Sequence, residues 1–218
     1  EPKISDKYLT WGWDDQEDSR VVPMSSAQLS SRIKKIKNKP GGNILLIGNG
    51  APRYSYWLHS LPLGPMFLNY LLDQKCFLER LSGEVLDLLV YRLYPKDWGW
   101  SQKERLTDMV PSVKIYEGKK SFYQQLNQAR LCINTCNSTS YLETLAANFP
   151  TLIFWNPDYS ELRPSAQSYS DELRKIGVLH DTPESAALKV NEIYKDPLNW
   201  WHSSEIQLAR KNFCDRYA

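Results

Sequence analysis

The chain has 218 residues, 27 of them basic and 25 acidic, for a formal charge of +2. So balanced a charge argues against a nucleic-acid partner, which calls for a basic excess on one face. The length suits one medium domain or one half of a bilobal protein, and such a chain buries roughly 70% of its unfolded surface without staples.

Residues 1–40 read as a connector carrying a first strand, KYLTWGW, and a turn at Pro23-Met24, and they hold too many aromatics for a free tail. The basic run from Arg32 to Lys37 is expected on a solvated face. Asn43–Ile47 is apolar without alternation, as a central parallel strand covered on both faces should be. Gly48-Asn49-Gly50 ends it, two glycines able to take φ > 0 and to let a ligand approach the backbone, with Arg53 following. An apolar stripe predicts a helix over 67–81, and 86–94 reads as a second strand stopped by Pro95. A helix is expected over 98–109, starting near Ser101 with Glu104 in capping-box spacing. Short strands at 114–116, 131–135, 151–155 and 178–179 alternate with helices at 121–130, 141–148, 169–176, 183–195 and 203–216. The alternation predicts an α/β, Rossmann-like fold with a mostly parallel sheet flanked by helices, spanning residues 41–218.

Ligands in such sheets bind beyond the carboxyl ends of the strands. Three ends carry small, polar or charged residues: Gly48, Asn49 and Gly50 with Arg53; Arg92, Tyr94 and Lys96; and Asn137, Ser138 and Thr139 followed by Glu143. The third opens a helix, whose unpaired N–H groups and partial positive charge suit a phosphate of a nucleotide or an activated sugar. Plainer readings stand beside each. The glycines can serve a tight turn, Arg53 can pair on the surface, and Arg92 shares a strand face with Val90 and Tyr94, so it can be a buried structural cation. Tyr94-Pro95 is a pocket wall or a rigid turn, and Ser138 and Thr139 can be simple N-caps. Glu143 either complements the helix dipole, worth about 0.3–1 kcal/mol, or accepts from a ribose or sugar hydroxyl.

Elsewhere little chemistry stands out. His59, His180 and His202 form no motif, and Trp98, Trp100, Trp200 and Trp201 read as core or as a sugar-stacking platform. Cys76, Cys132, Cys136 and Cys214 read as small hydrophobes of a reducing compartment. No zinc pattern, Ser-His-Asp set, Walker lysine or Asp-x-Asp metal site is present, so no metal and no cofactor are expected. No stretch approaches a transmembrane span or a signal peptide, which points to a cytoplasmic protein. The opening on Glu1 without Met reads as the interior of a longer chain.

The segment TCNSTSYLETLAANFPTLIFW resembles the donor-binding stretch of GT-B glycosyltransferases. More closely, ISDKYLTWGW, LIGNGAPRYSY, YRLYPKDWGWSQKER, GVLHDTPESAA and the terminal ARKNFCDRYA resemble a family of transferases encoded with bacterial surface-polysaccharide genes. That resemblance implies the C-terminal, donor-binding half of a glycosyltransferase for surface polysaccharide or lipopolysaccharide. It implies a nucleotide-sugar partner and a glycan or lipid-linked acceptor met by an N-terminal domain, at the inner face of the membrane. On it, Gly48, Asn49, Gly50 and Arg53 line the donor cleft, Ser138 and Thr139 hold a phosphate, and Glu143 holds a donor hydroxyl. A more distant likeness, to enzymes using CMP-activated ulosonic acids, sets Tyr94-Pro95 where those carry His-Pro; a CMP-sugar is thus implied alongside UDP- and GDP-sugars. A GT-B-shaped epimerase or hydrolase, and a non-catalytic nucleotide-binding or scaffolding module, are the alternatives.

Overall fold

Five parallel strands build the sheet in a computed structural model that describes residues 2–24, 33–54 and 62–217. They are β3 (Asn43–Ile47), β4 (Leu89–Arg92), β5 (Ala129–Asn134), β6 (Thr151–Phe154) and β7 (Leu179–His180), in spatial order β4-β3-β5-β6-β7. A single parallel bridge from Tyr91 to Ile115 extends the β4 edge. With it the sheet follows the doubly wound order in which the chain starts centrally, winds outward, and returns to wind the other way. Upstream, β1 (Tyr8–Trp11) and β2 (Val21–Met24) pair in parallel as a separate two-stranded sheet. Pro23 therefore lies in a strand and not in a turn; an edge position tolerates its missing N–H.

The sheet is covered on both faces because its strands alternate between two cores. Ile44, Leu46, Leu131, Ile133, Leu152 and Phe154 face α1 (Met66–Glu79), α2 (Gly83–Leu88), α3 (Gln102–Met109) and α7 (Pro183–Ile193). On the opposite face Leu45 and Cys132 pack on α4 (Phe122–Leu126). There too Ile153 meets α5 (Thr139–Ala146), α6 (Pro164–Lys175), α8 (Pro197–Trp201) and α9 (Ser204–Tyr217). Trp201 is fully buried and donates its indole N–H to the Asn148 side chain at 2.8 Å, so it belongs to the core and not to a stacking platform.

The helix expected over 121–130 stops at Leu126 with β5 starting at Ala129, the one expected from 169 starts at Pro164, and three further departures come through a local hydrogen bond. Residues 86–88 are helical, because the Ser82 hydroxyl accepts the Val85 N–H at 3.4 Å and starts α2; an apolar run alone does not distinguish strand from helix. The strand at 114–116 shrinks to one bridge, held by Tyr91 N–H on Lys114 O and Tyr116 N–H on Tyr91 O, both at 2.8 Å. Helix α3 starts without the Ser101–Glu104 box. The Asp97 carboxylate instead accepts the N–H groups of Ser101 and Gln102, each at 2.8 Å. Arg32, His59 and the aromatic stretch over 55–61 lie outside the described residues. Among the described residues no helix is long and apolar enough to cross a membrane.

Candidate ligand crevice at the switch point of the sheet

From β3 the chain winds toward β4 over one face, and from β5 it winds toward β6 over the other. The loops leaving β3 and β5 therefore diverge, and the crevice between them is where open α/β sheets receive ligands. Register sets what meets there. Ile47 lies opposite Asn134, so Gly48-Asn49 and Thr135-Cys136 leave the sheet side by side.

A relay of hydrogen bonds from α1 joins the two loops. The Asn49 N–H donates to the Tyr70 hydroxyl at 2.7 Å. Thr135 Oγ1 donates its one proton to Ile47 O at 2.8 Å, so Tyr70 is the donor in the 2.7 Å bond between their hydroxyls. Asn49 is 7% exposed. Its Oδ1 accepts the Gly50 N–H at 2.8 Å, while its Nδ2 is buried with no partner among the described residues. A buried donor left unmade costs about 1–3 kcal/mol.

The glycines have a different reason from the expected one. Neither Gly48 nor Gly50 takes a positive φ. A Cβ at Gly48 would stand 2.7 Å from the Tyr91 ring, and one at Gly50 2.7 Å from Cβ and Cγ of Tyr94. Packing against two tyrosines of the β4 side excludes a side chain there. On that flank Trp100 donates its indole N–H to Ala51 O at 2.8 Å, and Tyr94 stacks on Trp98 with centroids 5.0 Å apart. The exposed cations follow the rings: Arg53 lies 5.6 Å over Trp100 and Lys96 5.3 Å over Trp98.

Helix α5 starts on the other flank. Ser138 holds the extended N-cap conformation, yet its hydroxyl caps nothing. Ser140 Oγ donates to Asn134 Oδ1 at 2.6 Å, which makes Ser138 the donor to Ser140 at 2.7 Å. Among the described residues no side chain therefore caps the first-turn N–H groups of α5, where Thr139 is the first residue. Asn137 Oδ1 accepts from Tyr141 OH at 3.0 Å and faces a separate groove with Trp11 and Trp13.

Two expected site residues are tied to α4 instead. Arg92 Nη1 donates to Gln125 Oε1 at 2.6 Å and to Lys120 O at 3.0 Å, and burial lowers its pKa. Glu143 lies beyond the first turn of α5, and its Oε2 accepts from Tyr123 OH at 2.9 Å. The dipole reading of Glu143 thus gives way to a tertiary contact.

A second recess, which no sequence motif marks, lies between α1 and the ends of β5 and β6. Tyr70, Asp73, Gln74, Thr135, Trp155 and Asn156 are among its lining residues. Burial, with the negative charge of Glu184 adding to it, pushes the Asp73 carboxyl up to about 6. Glu184 stays ionised because Cys76 donates to it at 2.9 Å and Arg80 stands 3.5 Å away. The one sequence signal is Gln74, a polar residue inside the stripe Phe67, Leu71, Phe77, Leu78. Among the described residues no three His, Cys, Asp or Glu side chains converge as metal ligands.

Residues 1–218 match the model of a family described as LIC12162 family transferase. No curated protein matches the sequence. Among solved structures, similarity extends to the crystal structure of WaaG, a glycosyltransferase involved in lipopolysaccharide biosynthesis. Identity is 12% and the TM-score 0.40, over 92% of this chain and 52% of that one. The chain thus spans about half the length of WaaG.

Proposed function

The chain belongs to the LIC12162 family of transferases, and from that premise we propose that it transfers a glycosyl group and that its switch-point crevice holds the nucleotide-sugar donor. The observation that carries this reading is the unpaired, buried Nδ2 of Asn49, set in the loop beside the one that leads into an uncapped helix N-terminus. Both offer donors to an oxygen-rich anion, and a nucleoside di- or monophosphate presents such oxygens. Backbone N–H groups at Ser138 and Thr139 hold phosphate oxygens, and Arg53 and Lys96 offset the charge that develops on the leaving phosphate. Gly48, Gly50 and Tyr94 form the wall. Glu143, oriented by Tyr123, accepts a donor hydroxyl. The nucleotide is CMP, UDP or GDP, and the acceptor, a glycan or lipid-linked saccharide of surface polysaccharide or lipopolysaccharide assembly, is met outside this domain at the cytoplasmic face.

Calorimetric titration with CMP, UDP, GDP and their sugars tests the reading. At least one nucleotide should bind below the millimolar range, and Asn49→Ala should weaken it about tenfold, the loss of one charge-assisted hydrogen bond of about 1.5 kcal/mol. Binding confined to the millimolar range for all three, or an Asn49→Ala protein of wild-type affinity, removes the support.

A further inference from the structure

The recess under α1 shares Tyr70 and Thr135 with the relay that bounds the crevice, so the two adjoin. Its enclosed space is about 20 Å³, room for one water-sized group. Two N–H donors on its walls, Gln74 Nε2 and Trp155 Nε1, are sealed from solvent and have no partner among the described residues. Gln74 is fully buried and Trp155 6% exposed. Two unmade donors on residues that line one small space are rare in native folds and call for an occupant with acceptor oxygens.

The neighbouring polar groups are already engaged. Gln74 Oε1 accepts from Tyr91 OH at 3.3 Å, Asn156 Oδ1 accepts the Asp158 N–H at 2.9 Å, and Thr135 serves Tyr70 and Ile47. Two sealed donors and the Asp73 carboxyl stand out, and Asp73 is the one charged side chain among the described residues of the lining. Among the described residues no Lys, Arg or His lines it. A carboxylate or phosphate placed there would meet Asp73, with the ionised Glu184 behind it, and no counter-charge from those residues.

We propose that this recess seats one uncharged hydroxyl of the donor's sugar, whose oxygen accepts from Gln74 Nε2 and Trp155 Nε1 and whose proton goes to Asp73. The transferred sugar is then a neutral one, and a carboxylated ulosonic acid is selected against. This rests on the donor reading of the crevice.

Binding of three ligand sets to the wild-type, Trp155→Phe and Asp73→Asn proteins, each checked for folding by circular dichroism, tests it. The sets are the bare nucleotides CMP, UDP and GDP; neutral hexosyl esters such as UDP-glucose, UDP-galactose and GDP-mannose; and the carboxylated UDP-glucuronate and CMP-sialate. At least one neutral sugar nucleotide should bind the wild type tenfold or more tightly than its bare nucleotide. Each substitution should cut that increment at least fivefold while leaving the bare-nucleotide affinity within twofold. A bare nucleotide that binds with no gain from any neutral sugar overturns this inference and leaves the donor reading standing. So does a gain for carboxylated sugars alone, or a gain that survives both substitutions, which would assign the recess to a structural water. No binding by any nucleotide overturns both.

Discussion

Replacing Tyr70 by Phe tests whether the crevice is braced from α1. The substitution keeps the ring, which packs against Phe67 with centroids 5.2 Å apart, and removes a single oxygen. That oxygen accepts the Asn49 N–H and donates to Thr135 Oγ1, both at 2.7 Å, in a side chain only 5% exposed. Leaving the buried Asn49 N–H unmade costs about 1–3 kcal/mol, and losing the bond to Thr135 about 1 kcal/mol more. The expected loss is therefore about 2–4 kcal/mol, against a total stability on the order of 5–15 kcal/mol. Equilibrium urea unfolding reads it as a midpoint about 1–2 M lower at unchanged slope. Nucleotide affinity should fall with it, because Asn49 and Thr135 lose their common support. Combining Tyr70→Phe with Thr135→Val should cost less than the sum of the two, since they share a bond. A loss below about 1 kcal/mol at a normal slope would mean that the Asn49 N–H finds water, and the bracing argument fails.

Three further substitutions separate structural from ligand-facing groups. Asp73 has its carboxyl raised from an ordinary 3.8 to about 6, so the folded state holds the proton more tightly than the unfolded chain; the stability this gives is complete below about pH 4 and drains away as pH rises through 6. Two units set a ceiling of about 3 kcal/mol, and partial exposure brings the expectation to about 1–2 kcal/mol, so Asp73→Asn should be more stable than wild type by that amount at pH 8 and equal at pH 3.5; coincident melting curves at pH 8 would show the charge to be solvated. Gly50→Ala drives a Cβ to 2.7 Å from Tyr94 and should cost about 1–3 kcal/mol in chemical denaturation; a loss under 0.5 kcal/mol, well below that overpacking estimate, would show that Tyr94 moves aside freely. Arg92→Met gives up the bonds to Gln125 and Lys120 and should destabilise by about 1.5–3 kcal/mol with nucleotide affinity unchanged; weaker binding at full stability would return Arg92 to the crevice.

The parts of the fold legible in the sequence are those where one signal dominates. β3, β5 and β6 are each built on an apolar run without alternation, as a strand covered on both faces is. The run through Leu86–Leu88 is ambiguous by the same rule, because the Ser82 cap, a polar contact four residues upstream, decides between helix and strand. At the crevice, local rules identify the right loops and misjudge several side chains. Ser138 looks like a cap, but its hydroxyl goes to Ser140, which itself donates to Asn134, and Asn134 reaches that spot only once β5 is formed. Tyr70 and Asp73 are invisible in the sequence because they sit on a helix whose apolar stripe explains it completely, and their importance appears only when α1 is laid across two strand ends.

Three charged residues at the strand ends make bonds within the fold, while Arg53 and Lys96 lie exposed over the rings of Trp100 and Trp98. Arg92 and Glu143 are held by α4, and Asp97 starts α3. In the crevice loop and its recess Asn49 Nδ2, Gln74 Nε2 and Trp155 Nε1 are left as neutral N–H donors, and on the β4 flank both amide atoms of Gln102 are left unpaired as well. Neutral donors, beside a helix N-terminus and with Asp73 as the one carboxyl among the described residues of the recess, suit a ligand whose surface is phosphate and hydroxyl oxygen. Neutral donors also hold sugar oxygens without the desolvation cost of an ion pair, so they can select among hydroxyl arrangements by position and not by charge.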